Sequence, residues 1–303
     1  MKKILFILSA AAIFVGSCTK QQEPRLIFKF KFDSTQTRLN NIAQPSAVAA
    51  GNAAQSPVFH SMSAHFIQIA PDSLSPLTAN ILYKNDEVTT GGANAIDFSK
   101  SIIKGEGEEF FSVPLKSLTA GTYKWLRISL AYQNYDVKAI YRRSDVNSGA
   151  PFLFNGEVAS FLGFNTYITS YTLKGENIAV NANRLQGSGA VKPYNIPFIS
   201  TMSAITWAAP SNQKTTVVNP FAVALGIPAG SCLVTGKFTS QIEITGNETK
   251  DIIVTISLST NKSFEWKEKV VDGLYEPVDG NNSNAPLDSV VDMGIRGMIP
   301  IVN

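Results

Sequence analysis

The residues best suited to chemistry are the only two histidines in the 303-residue chain, His60 and His65, with Met62 between them in Phe59-His60-Ser61-Met62-Ser63-Ala64-His65-Phe66. Imidazole nitrogen beside thioether sulfur is a donor set that suits copper. On an extended strand His60 and Met62 share one face and His65 takes the other, so all three reach one ion only through a bulge or an irregular strand end. The alternative is a pair of partly buried rings hydrogen-bonded to loops. No hydrolase motif accompanies them: Gly-x-Ser-x-Gly, His-Glu-x-x-His and a glycine-rich phosphate loop are all absent. Glutamates that could serve as a glycosidase pair show no spacing that singles one out. The expectation is therefore a protein that is not an enzyme, needs no cofactor, and at most binds copper through His60, Met62 and His65.

A second group is suited to recognition. Tyr132 to Pro151 shows no clean strand pattern and reads as a long loop carrying Tyr135, Tyr141, Arg142 and Arg143. Tyrosine and arginine together give contact area at low entropic cost, so these four are the candidate contacts for a glycan or a protein partner. Asp33-Ser34-Thr35, Asp72-Ser73-Leu74 and Asp288-Ser289-Val290 resemble the acceptor tripeptide for O-glycans on exported Bacteroidota proteins, which implies Ser34, Ser73 and Ser289 as acceptors. The same tripeptides are also ordinary turn chemistry.

The amino terminus decides where such groups would work. Lys2 and Lys3 precede an apolar run from Ile4 to Val15, the two parts of an export signal, too short to span a bilayer. The run ends in Val15-Gly16-Ser17-Cys18, and here the chain resembles a bacterial lipoprotein precursor. The resemblance implies cleavage after Ser17, lipid on the Cys18 sulfur and an acylated amino terminus. Acyl chains contribute about 0.8 kcal/mol per buried methylene, and the several chains of a lipoprotein hold it stably in a bilayer. Thr19, in place of an inner-membrane aspartate, points to the outer membrane. Thr19 to Pro24 is a polar tether, and the periplasmic and cell-surface faces are both open.

Assigning Cys18 to lipid leaves Cys232 as the one remaining thiol, so no intramolecular disulfide is expected. Its neighbours Leu233 and Val234 make it a small buried hydrophobe. The formal charge of +3 falls to +1 once Lys2 and Lys3 leave with the signal, and the remaining charge is scattered, which excludes a nucleic-acid surface.

The elements that must position these groups are strands. Leu26-Ile27-Phe28-Lys29-Phe30-Lys31-Phe32 alternates at the strand period. Similar texture predicts strands near 59–70, 79–83, 110–115, 123–131, 164–173, 178–182, 199–207, 233–245, 251–257 and 263–270. Helical signals are confined to two short turns. One spans Pro220 to Gly226 with Asn219 as its cap, and the other spans Gly156 to Leu162. Many short strands with few helices predict an all-β fold, an antiparallel β-sandwich with long loops over residues 26–303, with a possible subdivision near 132–151. Leu26–Phe32, Phe59–Gln68, Ala120-Gly121-Thr122-Tyr123 with Leu126–Leu130, and Tyr167–Gly175 give this layout a resemblance over about half the chain. It resembles the MbnP-like domain of bacterial lipoproteins, some of them linked to copper. The tryptophan-rich segment of the copper-linked members has no counterpart at Phe164–Tyr171, so a copper function does not simply carry over with the resemblance. The general style is that of a Bacteroidota outer-membrane lipoprotein. The reading that follows is a membrane-anchored envelope protein that binds a ligand or partner. The alternatives are a fimbrillin-like adhesion or structural subunit, with Arg25 as a cleavage point ahead of the first strand, and a copper-binding MbnP-like protein.

Overall fold

The computed structural model describes residues 23–145, 147–197, 202–209, 222–281 and 285–303. Cys18, the export signal and most of the tether lie outside them, as do Asn219, Pro220 and residues 199–201 of the strand predicted at 199–207. The fold is all-β, with 54% of residues in strands and a curled main sheet. In chain order the strands are β1 (Arg25–Asp33), β2 (Asn52–Gln55), β3 (Val58–Ala70), β4 (Ile81–Lys84), β5 (Glu87–Val88), β6 (Ala95–Asp97), β7 (Glu109–Pro114), β8 (Gly121–Tyr141), β9 (Phe152–Phe161) and β10 (Thr166–Leu173). They continue as β11 (Glu176–Arg184), β12 (Gly189–Tyr194), β13 (Ile205–Trp207), β14 (Cys232–Ile244), β15 (Ile252–Ser259), β16 (Phe264–Lys267), β17 (Val278–Asp279), β18 (Ala285–Pro286), β19 (Ser289–Met293) and β20 (Met298–Val302).

The alternation read at the first strand holds: Leu26, Phe28 and Phe30 are buried, and Lys29 and Lys31 lie on the other face. β1 is an interior strand of the sheet β20-β15-β1-β7, parallel to β15 and antiparallel to β7. Arg25 opens β1 and donates from Nε to Ser112 Oγ at 2.9 Å. Strand exchange in a fimbrillin-like subunit needs a sheet with a vacancy beside this strand, and both edges of β1 are paired.

The largest sheet runs β13-β12-β9-β8-β3-β4, and β14 also pairs with β8. Its organiser is β8, a 21-residue strand. One edge pairs with β3; the other pairs with β14 up to Leu130 and with β9 from Tyr132 onward. This corrects two sequence expectations. The supposed loop after Tyr132 is strand as far as Tyr141, and the turn expected at Gly156–Leu162 lies largely within β9. The cause is burial on both faces: Leu126 to Tyr135 is buried without interruption, so the polar–apolar alternation that marks a half-buried strand is missing. Some of its polar groups pair internally, as where Gln133 Nε2 donates to Ser160 Oγ at 2.7 Å. The helical turn near residue 220 survives as α1 (Ala222–Leu225).

The main sheet, the β20-β15-β1-β7 sheet and β16 share one apolar core containing Phe28, Phe30, Met62, Ile67, Leu126, Ile128, Val254, Ile256 and Trp266. A second cluster of Phe98, Tyr132, Phe161, Ile168 and Tyr171 fastens β10 and β11 to the other side of the main sheet.

Candidate functional site

Residues of one parity on β8, β9, β12 and β13 lie side by side. Val137 faces Gly156, Ala139 faces Phe154 and Tyr141 faces Phe152 across β8 and β9. Pro193 then faces Gly156, Val191 faces Val158, and Ile205 stands next to Val191. These positions form one wall of a cavity of about 710 Å³. Phe264 of β16, Tyr275, Pro277, Val278, Val290 and Met293 form the facing wall, and Ile196, Met202, Trp207 and Arg143 complete the lining. The volume falls within the range of small-molecule sites, which are apolar with a few polar groups that fix orientation. The lining residues that carry polar groups are Arg143, Tyr141, Tyr275 and Trp207. The indole is already committed, donating to the Gly187 carbonyl at 2.7 Å. Gly156 keeps the sheet close-packed beside the cavity, because a Cβ there would stand 2.8 Å from Val191 Cγ2.

Charge pairing holds the facing wall in place. Arg142, at the end of β8, donates from Nη2 to Asp272 Oδ2 at 2.6 Å and pairs through Nη1 with Glu276 Oε2. Burial raises the pKa of Glu276, against the opposing pull of Arg142. The Glu276 backbone N–H donates to Asp288 Oδ2 at 2.7 Å, and the Asp288 N–H donates back to the Glu276 carbonyl at 2.9 Å. Residues 272–278 are thereby tied both to β8 and to the approach to β19. Arg143 has a different partner, donating from Nε to Asp145 Oδ1 at 2.6 Å.

The four residues expected on a recognition loop therefore have separate fates. Tyr135 is fully buried in the core, its ring stacked on Phe59 at 4.9 Å, and this corrects its assignment as a partner contact. Arg142 ties two segments together, whereas Tyr141 and Arg143 line the apolar cavity. Sequence reasoning missed the rest of that lining because it comes from five separate stretches beyond residue 190. The available signal was the period of two along 137, 139 and 141 and again along 152, 154, 156 and 158.

β3 does bulge, at His60 and again around Ser63 to Phe66, yet the bulges turn the candidate ligands toward three different surroundings. His60 Nε2 lies 2.9 Å from Asp136 Oδ2. Met62 is in the main core. The His65 side chain is only 1% exposed, stacks on Phe164 at 4.9 Å, and has Nε2 2.9 Å from Glu87 Oε1. Among the described residues no three His, Cys, Asp or Glu side chains are grouped to hold a metal ion. Burial lowers the His65 pKa despite its opposing hydrogen bond to Glu87. Glu87 is itself pushed up by burial, but hydrogen bonds from Lys84, Asn94 and His65 outweigh this and hold it near 2.

Of the O-glycan candidates, Ser34 and Ser289 are exposed and Ser73 is half-buried beneath Arg127, which donates from Nη2 to the Ser73 carbonyl at 2.6 Å. All three neighbouring aspartates do local structural work. Asp33 accepts from the Thr35 and Gln36 amides, Asp72 from Leu74, and Asp288 from Lys269 and Glu276. Among the described residues no helix is long and apolar enough to cross a membrane. Comparison with protein-family models, with curated proteins and with solved structures finds no match.

Proposed function

We propose that this chain is a non-enzymatic lipoprotein, anchored in the outer membrane through acylated Cys18, whose β domain holds an apolar small molecule between β8–β9–β12 and residues 275–278 and 290–293. The observation that carries this reading is the 710 Å³ cavity, lined by the aromatic and aliphatic residues of one sheet face. Burying an apolar ligand there is favourable by about 25 cal/mol for each Å² of apolar surface removed from water. With Arg143, Tyr141 and Tyr275 as its polar lining, the site suits a molecule that is mostly hydrocarbon or aromatic. Delivery of such a molecule within the envelope fits a tethered, non-catalytic carrier.

The test is a titration of delipidated mature protein with the apolar fluorophore N-phenyl-1-naphthylamine. A blue-shifted, saturable signal displaced by dodecanoate is expected, with loss of the signal in Ala139→Phe. No saturable signal, or an unchanged signal in Ala139→Phe, would overturn the assignment.

A further inference from the structure

A smaller cavity, of about 170 Å³, lies where the β10–β11 hairpin meets the β12–β13 end of the main sheet. Phe161, Tyr171, Ile178 and Val180 give it an apolar, partly aromatic wall, and Trp207 lines another side. Gly189 lets the indole approach β12, because a Cβ there would stand 2.9 Å from Trp207 Cζ2.

One charged residue joins this lining, Arg184. Across the hairpin Arg184 is opposite Thr166, and Ala182 is opposite Ile168. Directly opposed side chains in an antiparallel pair share a face, and Thr166 and Ile168 are both buried. Arg184 therefore stands on the face of the hairpin that packs inward, where a cation loses hydration and needs a partner. Its guanidinium is a fork of N–H donors. Among the described residues its one hydrogen bond runs from Nη1 to the Asn183 carbonyl at 3.0 Å. No Asp or Glu lines the cavity, so nothing in the lining balances the charge. Arg184 is only half-buried, and its Nε and Nη2 are unpaired without being sealed from solvent, so a ligand can reach them.

The Tyr171 hydroxyl is the second polar group of the lining. Burial pushes its pKa up to about 12 against the pull of the Arg184 guanidinium, so it keeps its proton at neutral pH and lies in the field of that charge. It too is unpaired among the described residues and not sealed off. A guanidinium beside a protonated hydroxyl is a donor set for a carboxylate. A cavity of about 150 Å³ is enough to hold benzene, so the space beside these donors takes a single ring and no larger apolar body.

We propose that this cavity binds a small aromatic carboxylate, whose oxygens accept from Arg184 and the Tyr171 hydroxyl while its ring lies against Phe161, Ile178 and Trp207. The cavity shares only Trp207 with the larger apolar one, and the assignment stands independently of the function proposed for that site.

Isothermal titration of the full mature protein with sodium benzoate tests the assignment, with benzamide as the uncharged isostere. The expected result is one site with Kd below about 1 mM for benzoate and binding of benzamide weaker by about tenfold or more. Arg184→Leu should weaken benzoate about tenfold and Tyr171→Phe about threefold, each with a thermal unfolding midpoint near that of the parent. Ala139→Phe, whose new ring enters the other cavity, should bind benzoate as the parent does. No saturable heat with benzoate up to about 10 mM would overturn the proposal. So would equal affinity for benzamide, loss of benzoate binding in folded Ala139→Phe, or a folded Arg184→Leu protein that binds benzoate as tightly as before. If Arg184→Leu does not fold, unchanged affinity in Tyr171→Phe is the overturning result.

Discussion

Replacing Ala139 with phenylalanine asks whether the apolar cavity is space that the folded protein keeps open. Ala139 is 3% exposed, and in a close-packed interior a residue so buried tolerates no enlargement. Overpacking of that kind costs about 1–3 kcal/mol. Ala139 faces a cavity of 710 Å³, however, so its new ring has room between Phe154 and the opposite wall. Burying a phenylalanine side chain is favourable by about 1.5–3 kcal/mol, and with little strain to offset it the variant should be as stable as the parent or more so. Ala64 is the control: it is fully buried in the main core and lines neither of the two cavities described above. Ala64→Phe should lower stability by about 1–3 kcal/mol. Urea unfolding followed by tryptophan fluorescence measures both, and naphthylamine titration should show binding lost in Ala139→Phe and retained in any folded Ala64→Phe. Equal destabilisation by the two substitutions would refute the reasoning, because it would mean that the space beside Ala139 is already filled.

Other outcomes follow from the charged and titratable groups. Arg142→Ala leaves Glu276 buried without its cation and should destabilise by about 2–3 kcal/mol, reduced from the fully buried case because Arg142 itself is a quarter exposed; thermal unfolding measures this, and an unchanged midpoint would show that the pair holds nothing. His65 has a lowered pKa, so the unfolded chain binds its proton more readily; stability should therefore fall as pH drops through and below the ordinary value of about 6.5, and His65→Gln should flatten that part of the pH–stability curve. Glu87, held near 2, contributes stability that is present at neutral pH and lost as the pH falls from its ordinary range toward 2; Glu87→Gln should remove that acid-side slope in the same urea series. Burial raises the Cys232 thiol to about 12, so iodoacetamide at neutral pH should modify the Cys232 peptide only slowly in the native protein and rapidly in urea, as read by peptide mass spectrometry.

Much of the architecture was legible wherever one strand face meets water. The alternation of Phe28, Lys29, Phe30 and Lys31 placed β1, and the apolar texture of 233–245 placed β14 to within a residue. Legibility failed along β8, where partners on both edges and cover on both faces from Leu126 to Tyr135 remove the alternation. The candidate site suffered the same loss. Tyr141 and Arg143 were singled out as recognition residues and do line a cavity, but for their position on a sheet face and its rim, not on a loop. The histidine cluster shows the limit of spacing in sequence: residues close along β3 are kept apart, with His60 beside Asp136 and His65 beside Glu87. Arg38 and Glu265 are 227 positions apart, and no local pattern announces that they pair.

The central claim is that the 710 Å³ cavity carries an apolar molecule at the envelope. The direct measurement is organic extraction of the protein purified from its native membrane, followed by mass spectrometry of the extract, with Ala139→Phe treated in parallel. Lipid bonded covalently at Cys18 stays with the protein, so only a guest molecule is counted. A near-stoichiometric apolar species from the parent, absent from Ala139→Phe, is the predicted result. An extract empty of such a species, or one identical for the two proteins, would contradict the account.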